Sequence, residues 1–133
     1  MKNKKIRGYI TARKIDGELV PQKIQNLVLR EFCKKNNYIY QLSSVEYKMA
    51  NSYLILDSIM EELPQIGGIV MYSFFQLPED KKKRNGLFKK ILKQKKFISF
   101  ALENITVQNK NDFLNFDTLF NINSLLKFCP KKI

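Results

Sequence analysis

Polar side chains suited to catalysis or ligand binding gather just after four apolar runs of this chain. Carboxylates transfer protons, and guanidinium groups match phosphate oxygens. Glu46 is the best candidate for proton transfer, and Tyr47 and Ser73 complete the catalytic candidates as hydrogen-bonding partners. Arg13 suits a phosphate, and Gln76 suits a ligand hydroxyl. The other candidate ligand-binding residues are polar side chains near the same strand ends or at helix starts: Thr11, Gln22, Gln25, Ser43, Asn51, Ser52, Tyr72, Glu79 and Glu103.

The chain contains no histidine, which excludes histidine bases, histidine-activated nucleophiles and histidine metal ligands. A zinc site would need carboxylates and the two distant thiols, Cys33 and Cys129, a poor match to known ligand sets. We therefore predict neither a metal nor a cofactor. Cys33 falls within a helical pattern, where a buried and inert thiol is expected.

Strands and helices must alternate to place these side chains together. Branched and aromatic residues predict strands at 6–10, 38–42, 69–75 and 97–102. Apolar residues at helical spacing predict a helix from Pro21 to about residue 35, a second from Asn51 or Ser52 to Leu63, and a basic third around 87–92. The segment from Thr11 to Leu19 reads as a loop with a turn at 16–17, and 45–51 as a second, polar loop.

This alternation predicts a single α/β domain over residues 1–133, a three-layer sandwich with a mainly parallel four-stranded sheet. The core spans 5–107, and one or two helices form a carboxyl-terminal extension at 108–129. Because the carboxyl ends of parallel strands meet at one edge, the candidate residues should converge on one crevice there. Each of them individually also has an ordinary structural explanation, such as a helix cap or a backbone hydrogen bond.

The net charge of +12 comes almost entirely from lysine, alongside many asparagines and isoleucines, a mixture that an A/T-rich coding bias also produces. Charge is thus weak evidence for nucleic acid, which we do not expect as a partner. The basic helix at 81–96 either binds an acidic partner or is solvated, and the sequence leaves both open. The amino end lacks a signal-peptide core, and no run reaches the roughly 18 apolar residues of a membrane helix, so we expect a cytoplasmic protein without membrane insertion.

Short polar and aromatic motifs carry a family resemblance over residues 5–107. They are Pro21-Gln22, Gln25-Asn26, Ser43, Glu46-Tyr47, Asn51-Ser52-Tyr53, Tyr72-Ser73 and Phe75-Gln76-Leu77-Pro78. Together they resemble the sporadic carbohydrate cluster protein family, found in bacterial gene clusters for lipopolysaccharide and other surface glycans. The resemblance implies a pathway and no specific reaction.

The order of the strands, helices and motifs also resembles, more remotely, the catalytic domain of serine recombinases. The fold is therefore expected to be resolvase-like or flavodoxin-like. The similarity rests on a tyrosine in the first strand, a glutamine in the first helix and a Gly-Ile-Val strand leading to a loop around Leu77. That family needs a serine nucleophile after the first strand, where this chain has Thr11 or Arg13. Gln76 and Glu79 replace its arginine pair, so recombinase chemistry is not expected.

These observations favour a cytosolic protein of surface carbohydrate biosynthesis that binds or modifies a sugar phosphate or nucleotide sugar. The alternative is a non-catalytic, dimeric interaction module for another enzyme of the cluster, suggested by the phenylalanine-rich carboxyl end. A DNA-binding regulator ranks third, because only charge and remote fold similarity suggest it. Whether any step is catalysed is left open.

Overall fold

A computed structural model describes residues 4–46 and 53–126, with side chains through residue 123. This part of the chain forms five strands, four α-helices and two 3₁₀ helices of one turn each. The strands and helices are, in order, β1 (Lys5–Thr11), α1 (Gln22–Lys35), β2 (Ile39–Glu46), α2 (Leu54–Glu61), β3 (Gly68–Met71), α3 (Lys81–Lys93), β4 (Phe97–Phe100), β5 (Ile105–Val107) and α4 (Lys110–Leu126).

The strands form one sheet in the order β2-β1-β3-β4-β5. β1, β2, β3 and β4 are parallel, and β5 pairs with β4 in the antiparallel sense. The predicted α/β alternation and mainly parallel sheet are therefore confirmed. The predicted number of four strands is wrong, because a short edge strand follows β4.

The predicted fourth strand ran two residues too far, because the chain turns after Phe100 and returns as β5. Asn104 takes a positive φ of 56° in this turn, a conformation that asparagine tolerates better than most residues. The predicted third strand also ran too far, since β3 ends at Met71 and a 3₁₀ turn spans Phe74–Gln76. Of the one or two helices predicted beyond residue 108, the described part contains one, α4.

The sheet lies between two helical layers. Successive side chains of a strand point to opposite faces of the sheet, so each strand contacts both layers. Ile69 and Met71 pack with α2, α3 and α4, whereas Val70 packs with α1. Cys33, a residue of α1, is fully buried as predicted, and burial raises the pKa of its thiol to about 11. Within the described residues, no helix is long and apolar enough to span a membrane.

Candidate functional site

Glu46 is the last residue of β2 and points into the protein at the carboxyl edge of the sheet. The sequence placed it in a loop, which is wrong because β2 continues to this residue. Its side chain is 1% exposed, and its carboxylate accepts hydrogen bonds from the Tyr9 hydroxyl at 2.9 Å and from the backbone N–H groups of Ile55 at 3.2 Å and Leu56 at 3.1 Å. Glu46 therefore caps the amino end of α2 from a neighbouring strand.

The capping role of Glu46 changes the interpretation of the site that the sequence predicts around this residue and the start of α2. Tyr47, Asn51 and Ser52 lie outside the described residues, so their predicted roles stay predictions. In the described part, the cap of α2 comes from a strand rather than from the residue preceding the helix, since Tyr53 makes no side-chain cap bond. Burial raises the pKa of Tyr9, and the Glu46 carboxylate raises it further, while Arg13 acts in the opposite direction. Tyr9 therefore remains a hydrogen-bond donor at neutral pH.

Two cations lie over the ring of Tyr53 beside this cap. The Arg13 guanidinium carbon is 4.6 Å from the ring centroid, and the Lys83 ammonium is 5.0 Å from it. Burial raises the pKa of Tyr53, and the neighbouring Arg13 opposes this. Lys83 also contacts the Asp57 carboxylate at 3.7 Å and keeps a largely exposed side chain. The carboxyl edge thus places a guanidinium and an ammonium within 5.0 Å of the centroid of one aromatic ring.

Gln25 and Gln76 join three elements through a closed hydrogen-bond network around Thr11. The Gln76 amide donates to Thr11 Oγ1 and to Gln25 Oε1, each at 3.0 Å, and accepts from the Ser73 backbone N–H at 3.0 Å. The Gln25 amide donates to the carbonyl oxygens of Thr11 and Val20 and accepts from the Thr11 N–H. All these side chains are buried. Their amide groups are occupied within the protein, which favours a structural role.

Ser73 and Glu103 form a second pair at the same edge. The Ser73 hydroxyl donates to Glu103 Oε2 at 2.6 Å, and the Phe74 N–H donates to Oε1 at 3.1 Å. Burial raises the pKa of Glu103, although both hydrogen bonds stabilise its carboxylate. Ser73 is 0% exposed and also accepts from the Phe75 N–H, so its hydroxyl is committed within the protein.

The other predicted ligand-binding residues lie apart from one another. Ser43 donates to Asn26 Oδ1 of α1 at 2.6 Å, and Tyr72 packs in the core on the α1 side. Gln22 is exposed while Gln25 is buried, so these two do not share a crevice. Glu79 is exposed, and its backbone hydrogen-bonds the Tyr53 hydroxyl. The structure therefore brings Thr11, Gln25 and Gln76 together and Ser73 with Glu103. It places Arg13 beside Tyr9, the residue that donates to Glu46.

Sequence reasoning missed several residues of this edge. For Ser73 and Gln76, which the sequence analysis named as candidates, it missed the capping role: their Ser-x-x-Gln spacing is a capping-box signal, and the structure forms that box. Tyr9 and Lys83 gave no local signal, since their partners are distant in sequence. Arg84 was grouped with the basic run, but its side chain is buried and donates to the carbonyl oxygens of Pro78 and Glu79.

Among the described side chains, no three His, Cys, Asp or Glu residues are placed to hold a metal ion.

Comparisons with known proteins bear on the fold alone. No protein-family model matches this chain, and no curated protein matches it in sequence. Among solved structures, the N-terminal catalytic domain of TP901-1 integrase, a serine recombinase, is similar with a TM-score of 0.65 and 13% identity, over 91% of this chain and 96% of that chain. The resolvase-like fold is thereby confirmed. The resemblance to the sporadic carbohydrate cluster family gains no support from these comparisons and stays a prediction.

Proposed function

We propose that this protein binds the phosphate group of a sugar phosphate or nucleotide sugar at the carboxyl edge of its sheet. The observation that carries the proposal is the convergence of Arg13 and Lys83 on the Tyr53 ring. A guanidinium offers a planar pair of donors to phosphate oxygens, and an ammonium adds a second charge. Strand ends of an open α/β sheet are also the usual position for such ligands.

Glu46 and Tyr9 serve this site as positioning residues. Glu46 holds the amino end of α2, next to Tyr53, and accepts the hydroxyl hydrogen of Tyr9. Arg13 lies close enough to Tyr9 to oppose the rise in the tyrosine pKa that burial causes, and the Arg13 guanidinium carbon is 4.6 Å from the Tyr53 ring centroid. This arrangement supports ligand binding rather than proton transfer by Glu46. A place in surface-glycan biosynthesis rests on the sequence resemblance alone.

Calorimetric titration with glucose 1-phosphate and UDP-glucose tests the site. Arg13→Ala should weaken binding at least 10-fold, and Arg13→Lys should recover only part of that loss because the ammonium lacks the planar fork. Arg30→Ala is the matched control, since Arg30 also lies over a tyrosine, at 5.8 Å from the Tyr40 ring centroid, but on α1. Equal affinities of wild type and Arg13→Ala for both ligands would overturn the proposal.

The interaction module remains a second candidate because α4 carries apolar side chains on its outer surface. Leu114, Leu119 and Ile122 are exposed, whereas Phe116 packs inward against α3. Exposed apolar area of this kind often marks an interface. Light scattering of the wild type and of Ile122→Glu decides this point: a wild-type dimer that dissociates in the variant supports the module, and a monomeric wild type excludes self-association through α4.

A further inference from the structure

A concave surface lies at the amino-terminal edge of the sheet, opposite the residues described above, between α3 and the start of α4. Its volume is about 950 Å³, at the upper end of the range typical of small-molecule sites. The carboxyl-edge residues discussed above do not line it. Its cationic lining consists of six lysines: Lys4, Lys89, Lys93, Lys95, Lys96 and Lys110.

The groove is lined by both cationic and apolar side chains. Its lining includes no aspartate or glutamate, and Leu92 and Phe113 contribute half-buried apolar surface. The groove continues into a smaller depression of about 460 Å³ that shares Lys4, Lys95 and Lys96 and adds Lys5, again without an acidic lining residue. An anion with an apolar body complements such a surface better than a simple inorganic ion.

Asn85 lines the groove together with Lys93. Asn85 and Lys93 both belong to α3 and are separated by about 12 Å along its axis, from the helical rise per residue.

We infer that this groove binds a nucleoside diphosphate. The phosphates lie among Lys4, Lys93 and Lys96, and the base packs on Phe113 and Leu92. The inference is independent of the proposed sugar-phosphate site, because the two lie at opposite edges of the sheet. It also assigns a partner to lysines that the sequence alone left as either solvated or functional.

Calorimetric titration of the full chain with ADP, UDP and inorganic pyrophosphate at 0.15 M salt tests this inference. At least one nucleotide should bind saturably and at least 10-fold more tightly than pyrophosphate. The double variant Lys93→Gln, Lys96→Gln removes two of the phosphate-binding lysines and should weaken nucleotide binding at least 10-fold. The double variant Lys81→Gln, Lys82→Gln removes the same charge from exposed positions of α3 that do not line the groove, and should bind as the wild type does.

Further variants separate the base contact from general electrostatics. Leu92→Gln should weaken the nucleotide about 10-fold and leave pyrophosphate unchanged, while Arg30→Ala, on α1 and outside the groove, should leave both unchanged. Equal binding of pyrophosphate and nucleotides, or equal losses in the two lysine double variants, would overturn the inference and indicate nonspecific charge. Tighter binding of a 20-residue oligothymidylate than of either nucleotide would overturn it in favour of a nucleic-acid surface.

Discussion

The side-chain amides of Gln25 and Gln76 meet at 3.0 Å, although 51 positions separate them in the chain. Gln25 belongs to α1, and Gln76 ends the 3₁₀ turn after β3, so the contact joins the two sides of β1. Both amides also bond to Thr11, the last residue of β1. This contact fixes the geometry of the carboxyl edge.

Replacing Gln76 by leucine should destabilise the fold strongly. Gln76→Leu leaves the buried Ser73 N–H without its acceptor and removes the hydrogen bonds that Gln76 donates to Thr11 and Gln25, so we expect the free energy of unfolding to fall by roughly 2 to 4 kcal/mol. Urea denaturation measures this change. Gln22→Leu, at an exposed position, should stay within about 0.5 kcal/mol of the wild type. A loss in Gln76→Leu no larger than in this control would contradict the network.

The capping carboxylate of Glu46 should stabilise α2. Glu46→Gln keeps the size but removes the charge facing the helix amino end, so we expect a loss of about 1 to 2 kcal/mol in the free energy of unfolding. Glu61→Gln lies at the other end of α2 and is exposed; it should be neutral or slightly stabilising, because a negative charge there opposes the helix dipole. Thermal unfolding of both variants gives the comparison, and equal effects would argue against capping by Glu46.

Gly8 and Gly86 should respond in opposite ways to alanine. A Cβ at Gly8 would lie 2.6 Å from the Tyr40 hydroxyl oxygen and 3.0 Å from Ser43 Cβ, where two residues of β2 face one residue of β1. Gly8→Ala should therefore cost about 1 to 3 kcal/mol. Gly86 lies in α3 with nothing within 4 Å of the added Cβ, so Gly86→Ala should stabilise by about 0.5 to 1 kcal/mol. Denaturation midpoints that moved in the same direction would disprove the close packing at Gly8.

Glu103 should make stability depend on pH. Burial raises the pKa of its carboxyl in the folded state, so the folded protein binds this proton more tightly than the unfolded chain does. The resulting stabilisation is fully present below the ordinary glutamate pKa of about 4.3 and is lost as the pH rises through the raised pKa. The stability of the wild type relative to Glu103→Gln should accordingly fall across that window.

Carbon-13 NMR titration of the Glu103 carboxyl measures the pKa directly. Ser73→Ala should raise it further, because the Ser73 hydroxyl donates to the carboxylate and favours the charged form. A Glu103 that titrates at its ordinary value in both proteins would mean that neither burial nor Ser73 perturbs it.

The sequence alone determined the alternation of strands and helices, the mainly parallel sheet and the burial of Cys33. These follow from hydrophobic periodicity, which is a local property of the chain. It also indicated that polar residues after β1 and β3 would meet at one edge. Most of the loop predicted from Thr11 to Leu19 is also confirmed, although Thr11 itself ends β1, and Ile15 and Glu18 pair across the expected turn at Asp16 and Gly17.

Only the tertiary structure decided what those polar residues do. Glu46 caps α2 and Gln25 meets Gln76 because distant segments are packed side by side, and no local pattern encodes those partners. Lys4, Lys93 and Lys110 line one groove for the same reason, although the sequence separates them widely. Hydrophobic pattern fixes which face of each element is buried, whereas hydrogen-bond partners and shared surfaces depend on how the packed elements align.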